Sequence, residues 1–196
     1  MKKQSLESEL LNACQEGNMK KIRSLLMNPN SKLNANIHYR NEYGYSALTY
    51  ACRFGKLSLV KYLLNSPYLQ ENPNLLSVDN TNNNVLMWSI EHKSLLTYFL
   101  NNPIIEQNID LFEMNKNNEN VFMALCKHGQ KEIIENLIIN KHILVDEITQ
   151  NWLLQKSKSH NDIYYHVLDI INKRDLYSDL NKDLDITKKI NKQVKI

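Results

Sequence analysis

Glycine and proline are both scarce, with four of each in 196 residues. No glycine-rich Walker-type loop occurs, and neither does a G-x-S-x-G nucleophile elbow or an H-E-x-x-H zinc pair. Apolar runs are short. None approaches the ~18 residues of a membrane-crossing helix. Met1-Lys2-Lys3 leads into polar residues rather than an apolar stretch, so the chain is expected to carry no secretory signal peptide. Charge of one sign is not in excess: the formal net charge is +3, which offers no argument for a nucleic-acid partner. The three cysteines, without a signal peptide, fit a reducing compartment, and the expected location is cytoplasmic. What is present is a chain 42% hydrophobic and 23% charged, a balance that folds rather than stays disordered. Asparagine, lysine and isoleucine are abundant and alanine is scarce, as AT-rich coding sequence produces.

The informative stretch is Asn41 to Leu64, NEYGYSALTYACRFGKLSLVKYLL. Asn41-Glu42-Tyr43-Gly44 reads as a turn: the first side chain bonds to backbone ahead of it, and the fourth position suits a residue with positive φ. Ser46 is a helix N-cap. Ala47, Leu48, Ala51 and Cys52 make a small apolar inner face, Gly55 ends that helix, and Leu57, Leu59, Val60, Leu63 and Leu64 stripe a second helix. A shift of 38 residues sets Asp79 on Asn41, Asn82 on Gly44, Asn84 on Ser46, Leu86 on Leu48 and Ile90 on Cys52. A further 36 brings Asn115, Asn118, Asn120, Phe122, Cys126 and Gly129 into the same places. The turn position is thus Gly, Asn, Asn, the two residue types that tolerate a left-handed backbone. Backbone demands met in register this often mean a repeat, and a repeat of this period means a solenoid.

GYSALTYACRFGKLSLVKYLL resembles the ankyrin-repeat pattern of a turn, G-x-T-P-L-H-x-A-A, x-x-G and a leucine-rich second helix. Ala47 stands where Pro is usual and Thr49 where His is usual. The third copy lacks the corner glycine and is shorter between its helices. The resemblance runs from about Ser5 to Ile171. It implies an all-α, ankyrin-like solenoid of about five helix-turn-helix repeats including two terminal caps, against a usual period of ~33 residues.

The expected domain is 1–171, with repeats near 5–40, 41–78, 79–114, 115–145 and 146–171. In the first, Ser5 or Ser8 caps the opening helix, Gly17 is the corner, and no turn precedes, as suits a capping repeat. Asn65-Ser66-Pro67 and Asn101-Asn102-Pro103 read as breaks followed by long connections. Asp146, Thr149 and Asn151 repeat the turn-and-cap spacing and open the last repeat. Residues 172–196 are charged and leave the repeat; a docked or partner-induced helix and a solvated tail are both open.

Cys14, Cys52 and Cys126 share one register position, which Ile90 fills in the third copy. A place that accepts isoleucine is a small buried apolar site, not a metal or nucleophile site. His92 and His128 flank the corners without companions at zinc-ligand spacing and read as surface residues. With no clustered acid, base or nucleophile, the chain is expected to be no enzyme, with no cofactor and no metal.

The resemblance implies that turn tips and the residues before the corner line a concave, partner-binding surface. Here these are Tyr43, Tyr45, Arg53 and Phe54, then Asn83, Glu91 and His92, then Glu119, Lys127 and His128. Tyr, Phe and Arg are the types that dominate binding hot spots. Tyr50 and Trp88 share a register position that often packs between repeats, and both are expected in the core. The expected function is therefore a protein–protein interaction module, a monomer or weak oligomer, with another protein as partner and neither nucleic acid nor a membrane span. Two alternatives stand beside it. One is a regulatory inhibitor of a partner enzyme that uses long loops or the basic tail. The other is a host-directed effector, since the composition is similar to that of ankyrin proteins that intracellular bacteria deliver into host cells, and of protist proteins.

Overall fold

The repeat begins with one asparagine or aspartate side chain closing a loop. Asn41 Oδ1 accepts from the backbone N–H of Tyr43 at 3.0 Å and of Tyr45 at 2.9 Å. Asp79 Oδ1 does the same for Thr81 and Asn83, and Asn115 Oδ1 for Asn117 and Glu119. In each loop the fourth residue donates back to the first carbonyl, and the first N–H donates to the fifth carbonyl. That geometry needs a positive φ at the fourth residue, and Gly44, Asn82 and Asn118 supply it at 80°, 63° and 56°. Successive loops are tied edge to edge: Asn80 N–H donates to the Tyr43 carbonyl at 3.2 Å, and Lys116 N–H to the Thr81 carbonyl at 2.9 Å.

The computed structural model describes residues 5–28, 30, 33–69, 71–141, 143–157 and 162–176. The chain divides into two compact units, Met1–Ala124 and Leu125–Ile196. The first holds α1 (Leu6–Glu16), α2 (Met19–Leu26), α3 (Ala47–Arg53), α4 (Leu57–Asn65), α5 (Val85–Ser89), α6 (Lys93–Leu100) and α7 (Pro103–Asn108). α8 (Val121–Lys127) begins in it and ends in the second unit, which continues with α9 (Lys131–Glu135), a π-helical turn (Asn136–Asn140), α10 (Glu147–Ser157) and α11 (162–176). The fold is all-α, and within the first unit it is a solenoid: α1 packs on α2 and α3, α3 on α4 and α5, and α5 on α6.

Helices of five to eleven residues are too short to persist alone in water. Stacking holds them. Leu10, Leu48, Leu86 and Phe122 share one register position, and none is more than 1% exposed. The caps fix where each first helix starts. Ser46 Oγ accepts from Thr49 N–H, Asn84 Oδ1 from Leu86 and Met87 N–H, and Asn120 Oδ1 from Met123 N–H. At the far end, Gly17, Gly55 and Gly129 donate to Cys14, Cys52 and Cys126, and the next N–H reaches the carbonyl one residue earlier, the double bond that a left-handed C-terminal residue allows.

One open local expectation is resolved and three are corrected. Of the two serines proposed for the first cap, Ser5 accepts from Ser8 N–H, so α1 starts a turn earlier than the repeat register. Asn102-Pro103 opens a helix instead of a bare connection: Asn102 caps α7 and Pro103 takes the first helical position, where no amide hydrogen is needed. Asp146 does not form a turn. Its carboxylate accepts from Thr149 N–H three residues on, which is N-cap geometry, so α10 begins at once and Asn151 lies inside it. Thr149 is β-branched and ill suited to the positive φ the turn demands. Finally, His92 does not match Phe54. It has the backbone of the residue before a second helix (φ −114°, ψ 81°), as Asn18, Lys56 and Gln130 do, because the third repeat omits residues from its corner. α11 runs through 176, past Ile171, and residues 177–196 of the proposed tail lie outside the described residues.

Candidate functional site

Asn41 holds Tyr45 by both backbone groups, so the Tyr45 ring leaves the loop in a fixed direction. It meets Trp88 edge-on, centroids 5.1 Å apart, and Tyr50 edge-on at 6.0 Å. Tyr43, at the loop tip, is 59% exposed with its ring 5.8 Å from Tyr45. Phe54 stacks on Tyr50 at 6.2 Å with planes 10° apart. Trp88 in turn is anchored: its indole N–H donates to Asp79 Oδ2 at 3.1 Å. Asp79 is buried, and its carboxylate also takes the two loop amides, so one side chain positions both the third loop and the indole.

Arg53, the last residue of α3, lays its guanidinium across this surface, 5.3 Å from the Trp88 centroid, 5.7 Å from Tyr45 and 5.9 Å from Phe54. Ring faces carry partial negative charge and hold a cation there without a carboxylate. Among the described residues no carboxylate pairs with Arg53. Behind it, His92 Nε2 lies 2.9 Å from the Arg53 carbonyl oxygen. The carbonyl only accepts, so Nε2 donates.

The residues proposed from sequence therefore fall into groups. Tyr43, Tyr45, Arg53 and Phe54 are brought together. His92 joins them from the back, half-buried, as support for the Arg53 backbone rather than as a ring in the cluster. Glu91 is exposed beside it, and Glu119 is half-buried in the fourth loop. Lys127 and His128 belong to the second unit, both exposed, with Lys127 Nζ 6.0 Å from the Trp152 centroid. Tyr50 and Trp88 depart from the core expectation: both are half-buried, Trp88 lying under the Arg53 guanidinium and Tyr50 stacking on Phe54. The signal was an aromatic at one register position in consecutive repeats beside an aromatic loop, more ring than the gap between first helices takes in.

Cys14, Cys52 and Cys126 are buried without exposure, and burial pushes each thiol up to about 12. All three are free thiols and, held protonated, poor nucleophiles. Among the described residues no three His, Cys, Asp or Glu side chains converge as a metal site would require. No described helix is long and apolar enough to cross a membrane. The arrangement offers rigid, partly exposed rings and a cation.

Residues 10–110 match the family described as ankyrin repeats, in three copies, a span that contains the whole Arg53 cluster. No curated protein sequence matches the chain.

Proposed function

This chain belongs to the ankyrin-repeat family, whose members are generally protein–protein interaction modules, and on that premise we propose that it binds a protein partner through the face formed by its loops and first helices. The observation that carries the reading is the Arg53 guanidinium laid over Tyr45, Phe54 and Trp88, with no carboxylate paired to it among the described residues. Such a cluster is preorganised: rings locked by contact and by the Asp79 bond lose little freedom on binding, so little of the contact energy is spent ordering them. Exposed Tyr43 and Phe54 supply apolar area, and Arg53 supplies charge for a partner carboxylate. The role is binding, not catalysis.

The experiment is affinity capture with the native chain and with Tyr45→Ala, Arg53→Ala and Phe54→Ala, each checked for an unchanged helical spectrum. Loss of one common partner in all three supports the reading. Undiminished capture by folded variants removes this face from consideration. Inhibition of a partner enzyme would be a finer use of the same module. Truncation after residue 176, which leaves α11 whole, should abolish inhibition if the tail plugs an active site and leave it intact if this face does the work.

A further inference from the structure

The second helices of the first two repeats carry a feature the binding face does not use. Met19 and Arg23 on α2 and Met27 at its C-terminal cap form a stripe, and Lys61 and Tyr62 of α4 line the same groove. Tyr68, 73% exposed, closes the end. Together they line a groove of about 780 Å³, within the size range of ligand sites. Contacts between surface side chains brace the walls. Tyr62 O–H donates to Met27 Sδ at 3.0 Å, Arg23 lies 5.5 Å over the Tyr62 ring, and Lys61 lies 5.4 Å over Tyr98. Neither Arg23 nor Lys61 meets a carboxylate among the described residues.

Charge is also distributed unevenly in this part of the chain. From Gly17 to Gln70 there are eight lysines and arginines and one acidic residue, Glu42. The net +3 of the whole chain conceals this, because the acids lie elsewhere. The groove thus combines a thioether and aromatic floor with two cations on its walls, in a segment nearly devoid of carboxylates.

We infer that the groove between α2 and α4 is a second docking surface, which takes a short acidic peptide carrying apolar side chains between its carboxylates. Charge complementarity selects the acidic residues, and the methionine floor adapts to the apolar ones. The nine residues of α4 span about 13 Å at 1.5 Å per residue, so the occupant is two to three helical turns or a shorter extended strand. A polyphosphate backbone would satisfy the cations and leave the apolar floor uncovered, which favours a peptide over nucleic acid.

The test is selection of a random library of peptides as long as α4 on the whole chain, with counter-selection on Arg23→Glu/Lys61→Glu. The expected result is enrichment of Asp and Glu flanking Leu, Met or Phe. The synthetic form of the best sequence should bind at least about tenfold more weakly to the charge-reversed variant, with a smaller loss for Arg23→Gln/Lys61→Gln. Both positions are exposed, and thermal melting confirms that the variants fold. Arg53→Ala should bind this peptide as the native chain does, so failure here and failure of the loop-face reading are told apart. Recovery of no peptide, recovery without acidic enrichment, or equal binding to the charge-reversed chain overturns the inference. So does binding of oligothymidylate or phosphatidylserine vesicles in place of peptide.

Discussion

His92 donates its Nε2–H to the carbonyl oxygen of Arg53 at 2.9 Å, and the same ring covers the open face of Gly55. A Cβ built on Gly55 would lie 2.5 Å from His92 Nδ1. The third repeat has no corner glycine of its own; its shortened corner places an imidazole on the glycine of the repeat before it. Gly55 therefore meets two demands, a φ of +65° and a surface with no side chain.

Gly55→Ala should cost about 2–4 kcal/mol, from left-handed strain plus displacement of the imidazole. Gly129 has the same backbone, φ +67°, and nothing within 4 Å of its would-be Cβ, so Gly129→Ala should cost only about 1 kcal/mol. Chemical denaturation measures both. Adding His92→Ala to Gly55→Ala should restore part of the loss. Equal costs at the two glycines would show that the ring contact carries no energy.

The three loop corners differ in what they tolerate. A Cβ at Gly44 would lie 2.7 Å from the Asn80 backbone nitrogen, which cannot move without breaking its bond to Tyr43. Gly44→Asn should destabilise by about 3 kcal/mol, although asparagine serves the same position at 82 and 118. Asn82→Gly should change stability by less than about 1 kcal/mol. Thermal melts of the two variants check the asymmetry.

Asp79 ties fold to site. Asp79→Ala leaves the Thr81 and Asn83 amides and the Trp88 indole without their acceptor, at a cost of about 3 kcal/mol. Asp79→Asn keeps a single acceptor oxygen, so it cannot serve both the loop and the indole. A change in Trp88 fluorescence with the loop intact is the expected outcome, read with Trp152→Phe to isolate the signal.

Much of this was legible in the sequence because loop chemistry is local. Asn41, Asp79 and Asn115 needed only their own next four residues, and the positive-φ corners allowed only glycine or asparagine. The same locality exposed the buried thiol register. Contacts that join one repeat to the next were less visible. His92 was set against Phe54 because counting residues cannot show where a shortened corner gives up its length. Trp88 was assigned to the core because its Asp79 bond and its place under Arg53 exist only once repeats stack. Asp146 matched a turn by spacing and caps a helix instead, since the same carboxylate serves either geometry.

The thiols give a pH test. With folded values raised from 9.0 to about 12, the protonated form is favoured by the fold, so their contribution is complete below pH 9 and is lost as pH climbs towards 12. Stability should fall across that window, and a Cys14→Ala/Cys52→Ala/Cys126→Ala chain should fall less. At pH 8 the thiolate fraction is on the order of a thousandfold lower folded than unfolded, so iodoacetamide should label the native chain only through opening.

The most direct measurement is the affinity of the captured partner for the native chain and for Arg53→Ala by titration calorimetry, with melting temperatures recorded alongside. Arg53 is exposed and its guanidinium is held by ring contacts rather than by an ion pair among the described residues, so its removal should leave the fold intact while weakening binding by about 2 kcal/mol, roughly thirtyfold. A partner that binds Arg53→Ala as tightly as the native chain would contradict the assignment of the loop and first-helix face as the recognition surface.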